Sequence, residues 1–144
     1  VQGLRPYGVS LLYAGWDKYH GFQLYHSDPS GNYFGWKAHC IGSNNAAAQS
    51  ILKQEYPAQE SQDATPMTLK SGHALAVKVL TKTMETTNLT SEKLEYVTVT
   101  RDEANDKVVI KMFTPGEIQR LLDEHKQAGD DEDKPAATTS SQTV

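Results

Sequence analysis

Residues 28–31 read Asp-Pro-Ser-Gly, and each type stands where a type I turn favours it: Asp first, Pro second, Gly fourth. Such a turn reverses the chain within four residues, and the flanking segments have the patterns of strands. Upstream, Phe22, Leu24 and His26 alternate with Gln23 and Tyr25 over Phe22–Ser27. Downstream, the pattern predicts a strand over Tyr33–Ile41, with Phe34, Trp36, Ala38 and Cys40 on one side. Before both lies Gly8–Gly15 (GVSLLYAG), a continuous apolar run of strand length. That pattern predicts a strand covered on both faces. The intervening WDKYHG supplies turn-forming Asp17 and Gly21, which makes the first two strands a hairpin. The opening third is therefore expected to be a three-stranded meander.

Helical patterns follow. Ser43 or Asn44 can cap a helix running to about Tyr56, with Ala48, Ile51, Leu52 and Glu55 on one face. Pro57–Ala64 is polar and is expected to be an exposed loop. Thr65-Pro66 has the pattern of an N-cap followed by Pro at the first helical position. It predicts a helix from Met67 to about Glu85. Leu69, His73, Ala76, Leu80 and Met84 would form its main stripe, Leu75 and Val79 would lie beside it, and Lys78, Lys82 and Glu85 would form a narrow polar strip. A helix apolar around most of its circumference needs neighbours on two sides. Leu94–Thr100 and Val108–Phe113 then flank the turn-rich DEAND as a second hairpin. Thr114-Pro115-Gly116-Glu117 is a capping-box pattern, and Ile118, Leu121, Leu122 and His125 follow at helical spacing. The order βββ–αα–ββ–α, in separate blocks, implies an α+β layered fold.

Residues 128–144 collect Asp130, Asp131, Glu132 and Asp133 against Lys134, then turn to Pro, Ala, Thr and Ser. This stretch has little to bury and is expected to be a disordered acidic and polar tail, leaving residues 1–127 as the folded domain. The net charge of the whole chain is −4, so the body is close to neutral. A nearly neutral body lacks the basic face that nucleic-acid binding requires. No apolar run approaches the roughly 18 residues of a membrane span. The single cysteine, Cys40, excludes an internal disulfide framework and a multi-cysteine metal site, and suggests a reducing compartment.

The candidates for chemistry are few. His20 and His26 could share a strand face, but no carboxylate or cysteine stands at ligand spacing, so no metal is expected. His73 is expected to be a satisfied core or boundary residue. His39-Cys40 suggests a thiol nucleophile, yet neighbours on a strand point to opposite faces, so this His cannot activate this Cys. Asp28 is explained by its turn. Asn88-Leu89-Thr90 matches the glycosylation sequon and is read as a coincidence. Phosphate-loop, dinucleotide, nucleophile-elbow and zinc-protease motifs do not occur. No nucleophile, base and orienting group can be assembled, so no catalytic residue and no cofactor is expected.

Taken together, GLRPYGVSLLYAGWD, HGFQLYHSDPSGNYFGWKAHCIG, SNNAAAQSILKQEY and MTLKSGHALAVKVLTKTM resemble the alpha subunits of the proteasome core particle. The likeness is greatest to the type at the third ring position, type four. It extends from about Gly3 to Lys126. The resemblance implies a four-layer αββα sandwich of the N-terminal-nucleophile hydrolase type, of which this chain would be the C-terminal part. The remainder would then be present elsewhere in the same assembly.

The function it implies is structural. Seven alpha subunits would form a ring against beta-ring subunits that hold the protease sites, with activator particles docking on the ring surface and ubiquitin-dependent degradation as the outcome. The cytoplasm and nucleus are the implied location, without nucleic-acid or membrane partners. The family nucleophile is an N-terminal threonine, whereas this chain opens on Val1. Gln2 and Gly3 occupy the place where the family usually has Gly-Gly, in a loop that narrows the entry channel, and are the candidate channel-lining residues. Pro57–Ala64 is read as a surface insertion. Two other readings stay open: a threonine-type hydrolase subunit, which an exposed N-terminal nucleophile would favour, and a free-standing interaction module, which a soluble monomer would favour.

Overall fold

The computed structural model describes residues 3–56, 67–84 and 89–129. Strands β1 (Leu11–Asp17), β2 (Gly21–Ser27) and β3 (Tyr33–Trp36) form one antiparallel sheet in sequence order. Helices α1 (Asn45–Glu55) and α2 (Leu69–Thr83) follow, then a short 3-10 turn at Ser91–Lys93. Strands β4 (Val97–Asp102) and β5 (Lys107–Met112) pair as a hairpin, and α3 (Pro115–Gly129) follows. The expected order of elements and the α+β class are both present.

Local chemistry explains the reversals. Asp17 Oδ1 accepts from the Tyr19 and His20 backbone N–H groups at 2.7 and 2.8 Å, closing the β1–β2 turn. The register runs from Leu11 opposite Ser27 to Asp17 opposite Gly21. At the β2–β3 turn the Asp28 carbonyl accepts from Gly31 N–H at 3.0 Å. Asp28 Oδ1 also accepts from the backbone of Ser30 and Asn32. Gly31 adopts φ 91°, which a residue with a Cβ reaches only at a steric cost. The DPSG segment is thus the type I turn that its residue order implied, completed by a left-handed glycine.

Two apolar cores organise the helices, and α2 contributes to both. Ala48, Leu75 and Val79 form one, against Ile51, Leu52, Cys40 and Met67. Val77, Leu89, Ile118, Leu121 and Leu122 form the other, against Leu80, Leu94, Tyr96 and Phe113. Each fully buried Leu or Ile contributes about 1.5–3 kcal/mol through the removal of apolar surface from water. The two-sided packing expected of α2 is therefore present, although Val77, outside the expected stripe, is one of its most buried residues and Leu69 is exposed. Glu55, at the end of α1, pairs with Lys78 of α2 at 2.9 Å.

Helix ends differ from expectation in instructive ways. The N-cap of α2 is Thr68, whose Oγ1 accepts from Ser71 N–H while Thr68 N–H donates to Ser71 Oγ at 2.9 Å. This reciprocal box places the start two residues beyond the predicted Met67; Pro57–Ala64, Thr65 and Pro66 lie outside the described residues. Glu85, Asn88 and the tail from 130 onwards do so as well. Asn44 is the N-cap of α1, but with φ 58° its side chain does not cap. Instead Asn44 Nδ2 donates to the Thr83 carbonyl at 2.8 Å, tying α1 to the end of α2. The box at Thr114 and Glu117 forms as expected, with Thr114 N–H donating to Glu117 Oε2 at 2.9 Å and Glu117 N–H to Thr114 Oγ1 at 3.4 Å.

Two strand expectations are corrected. The Gly8–Gly15 run predicted a strand covered on both faces, whereas β1 begins at Leu11 and its Leu11, Leu12 and Tyr13 are exposed. Gly8 takes a left-handed φ of 72°, which interrupts extension, and among the described residues no element buries the start of β1. The third strand ends at Trp36 rather than Ile41. Beyond it the chain folds back, so that His39 stacks on Trp36 with ring centroids 4.2 Å apart.

Candidate interaction surfaces

Both sheets leave large apolar side chains in solvent. On the first sheet, Phe22, Phe34 and Trp36 are exposed on one face and Leu11, Tyr13 and Tyr33 on the other. The alternation of strand side chains assigns these groups to their faces, and the register sets Leu24 opposite Trp36 and Ser27 opposite Tyr33. On the tyrosine side, Tyr13 stacks on Tyr25 at 5.7 Å and Tyr25 meets Tyr33 edge-on at 6.3 Å. On the hairpin, Val97, Val108, Ile110 and Met112 share a face, and Ile110 and Met112 are 68% and 72% exposed. Contiguous apolar surface of this kind marks an interaction face.

The sheets meet where the Arg101 guanidinium lies 4.6 Å from the centre of the Trp16 ring. Arg101 also pairs with Asp106 across the β4–β5 turn. An open cavity of about 600 Å³ lies here, bounded by Trp16 and Phe22, by the first turn of α2, and by Tyr96 and β4 from Val97 to Arg101. The juxtaposition of Trp16 and Arg101 has no signature in the sequence, since it depends on how two distant hairpins pack.

The groups considered for chemistry do not converge. His20 lies in the β1–β2 turn, exposed, with Nδ1 3.6 Å from Asp17 Oδ1. His26 lies within β2 and contacts His39 at 4.7 Å, whereas His20 sits in the turn before that strand, so His20 and His26 share no strand face. Cys40 Sγ donates to the Ile41 carbonyl at 3.7 Å, and burial pushes its thiol pKa up, the reverse of an activated nucleophile. His39 and Cys40 serve different neighbours, as expected: His39 stacks on the sheet and Cys40 packs with the helices.

His73 is a half-buried boundary residue set edge-on against Tyr96 at 5.4 Å and Phe113 at 6.0 Å. It is not the satisfied histidine that was expected, because its Nε2 is buried without a hydrogen-bond partner among the described residues. Burial, aided by His125, holds its pKa below the ordinary histidine value. Among the described residues no three His, Cys, Asp or Glu side chains come together as metal ligands. Gln2 lies outside the described residues; Gly3 is exposed, with φ 90° and no atom near the position of an added Cβ.

The family model described as "Proteasome subunit" matches residues 1–99. Proteasome subunit alpha type-4-A of Arabidopsis thaliana is 53% identical over 138 residues, 96% of this chain and 50% of that protein. Proteasome subunit alpha type-4 of Spinacia oleracea is 51% identical over the same length, with the same coverage. A probable proteasome subunit alpha type-3 of Schizosaccharomyces pombe is 43% identical over 125 residues, 87% of this chain and 48% of that protein. The chain spans about half the length of these relatives. On this evidence the chain belongs to the proteasome subunit family and is alpha type-4-like.

Proposed function

We propose that this chain is the C-terminal part of a non-catalytic alpha-ring subunit of a proteasome core particle, a threonine-type endopeptidase complex. The observation that carries the reading is identity of 51–53% to alpha type-4 subunits along 96% of the chain. The uncovered apolar faces of both sheets agree with it, since a subunit whose sheets are completed and covered by the rest of its own polypeptide and by ring neighbours presents such faces when seen in part. In the whole subunit the two sheets would be the inner layers of a four-layer αββα sandwich, with helices outside.

The role is scaffolding. The subunit would hold its place in a seven-membered ring, rest on the beta ring, offer its outer surface to activator particles and help control substrate entry to ubiquitin-dependent degradation. Gln2 and Gly3 would lie at the entry channel. The cytoplasm and nucleus are the proposed compartments.

Native mass spectrometry of the endogenous complex tests this. The expected result is a very large assembly of many related subunits that contains this sequence within a polypeptide about twice as long. A mass equal to that of the single chain, in a soluble and well-behaved form, overturns it.

A further inference from the structure

Residues 39 and 40 join the sheet to the helices, and they do so through different side chains. His26 of β2 and Trp36 of β3 lie on the same face, on a diagonal of the ladder in which Leu24 opposes Trp36 and His26 opposes Phe34. His39 folds back over both rings, with centroids 4.2 Å from Trp36 and 4.7 Å from His26, tilted by 23° and 33°. The next residue, Cys40, packs against the core formed by Ala48, Leu75 and Val79. Gln49 Nε2 of α1 donates to the Cys40 carbonyl at 3.4 Å. One dipeptide thus holds the meander by an aromatic stack and the helix pair by an apolar contact.

We propose that the His26–His39–Trp36 stack is a proton-sensitive clasp, closed when at most one of its imidazoles is charged and released from the sheet when both are. Two imidazolium rings with centroids 4.7 Å apart repel, and His26 and His39 are both half-buried, so the second charge is poorly screened. Among the described residues, the groups named around His39 do not offset it. His26 is the titratable group facing it from β2, Trp36 of β3 and Gln49 of α1 are neutral, and Lys37 beside it is exposed and of the same sign. Burial, and then the charge of His26, hold the His39 pKa below its ordinary value. The sign follows: with the folded pKa depressed, the stack's contribution is present above the ordinary histidine pKa and falls away as the pH drops below it. Opening would free residues 37–41 from β2 while Cys40 stays with the helices, loosening the sheet against the helix layer.

The test is amide hydrogen exchange of residues 37–41 in the full chain, corrected for intrinsic rates, as the pH falls from about 7.5 to about 5. The expected result is a gain in exchange at these residues that sets in as the pH falls below the ordinary histidine value. His39→Phe keeps a ring on Trp36 and removes the charge, so the gain should disappear. Should that variant fold poorly, His26→Gln decides: the His39 titration midpoint, read from its ring C–H signals by NMR, should rise and the gain should shrink. An undiminished gain in His39→Phe, or an unmoved His39 midpoint in His26→Gln, overturns the proposal.

Discussion

Lys111 Nζ of β5 lies 2.7 Å from Glu117 Oε1 in the first turn of α3. The other oxygen of the same carboxylate accepts from Thr114 N–H at 2.9 Å, so one side chain closes the helix cap and pins the helix to the hairpin. The Lys111 ammonium, and then the Thr114 bonds, pull the Glu117 pKa from 4.5 to about 2. Because the folded value is depressed, the stabilisation is fully present above 4.5 and is lost as the pH falls through about 2. Glu117→Gln should therefore flatten the stability profile between those values, as followed by urea unfolding at stepped pH. Thr114→Ala removes the reciprocal cap and should cost about 0.5–2 kcal/mol at neutral pH.

The core beneath α3 should be sensitive to truncation. Leu122 is 1% exposed and Ile118 2%. Leu122→Ala should lower stability by about 2–5 kcal/mol, through lost burial and the cavity left behind. Ile110→Ser, on the exposed hairpin face, should stay within about 0.5 kcal/mol in the chain alone. If the proposed assembly holds, the same substitution in the full-length subunit should reduce its incorporation into the complex. Denaturant midpoints and native mass spectrometry separate the two effects.

The contact between Arg101 and Trp16 should couple the two sheets measurably. A guanidinium at 4.6 Å from an indole centre at a partly exposed site is worth about 0.5–1 kcal/mol. A double-mutant cycle with Arg101→Gln and Trp16→Leu isolates that quantity from the separate pairing of Arg101 with Asp106.

Asn44 has two separable duties. Its backbone is left-handed at φ 58°, and its side chain holds the Thr83 carbonyl. Asn44→Gly loses the hydrogen bond, about 1 kcal/mol, but relieves the Cβ that Asn44 already places in the left-handed region. Asn44→Ala loses the same bond and keeps the Cβ, so it should be about 1–2 kcal/mol less stable than the Gly variant. A comparison of the two in thermal unfolding reads the difference, and equal losses would contradict it.

The local features were legible in the sequence because their causes are local. An Asp, a Pro and a Gly within four residues specify the β2–β3 turn, and Thr114 with Glu117 three residues later specifies the cap of α3. The alternation in β2 and the helical spacing of Ile118, Leu121 and Leu122 likewise need no distant partner to be read. His39 and Cys40 do serve different neighbours, but the strand alternation that suggested it does not reach them: β3 ends at Trp36, and the fold-back beyond it sends His39 to the sheet and Cys40 to the helices. What stayed hidden were particular contacts set by long-range packing: His39 folding onto His26, Trp16 meeting Arg101, and His73 Nε2 buried without a partner among the described residues. The run from Gly8 to Gly15 marks the boundary most clearly. Its residues determine that the strand is suited to burial on two faces, whereas burial depends on what else is folded against it, and in this structure the start of β1 stands in solvent. Pattern and turn chemistry are properties of neighbouring residues; coverage is a property of surfaces brought together, which only the tertiary structure decides.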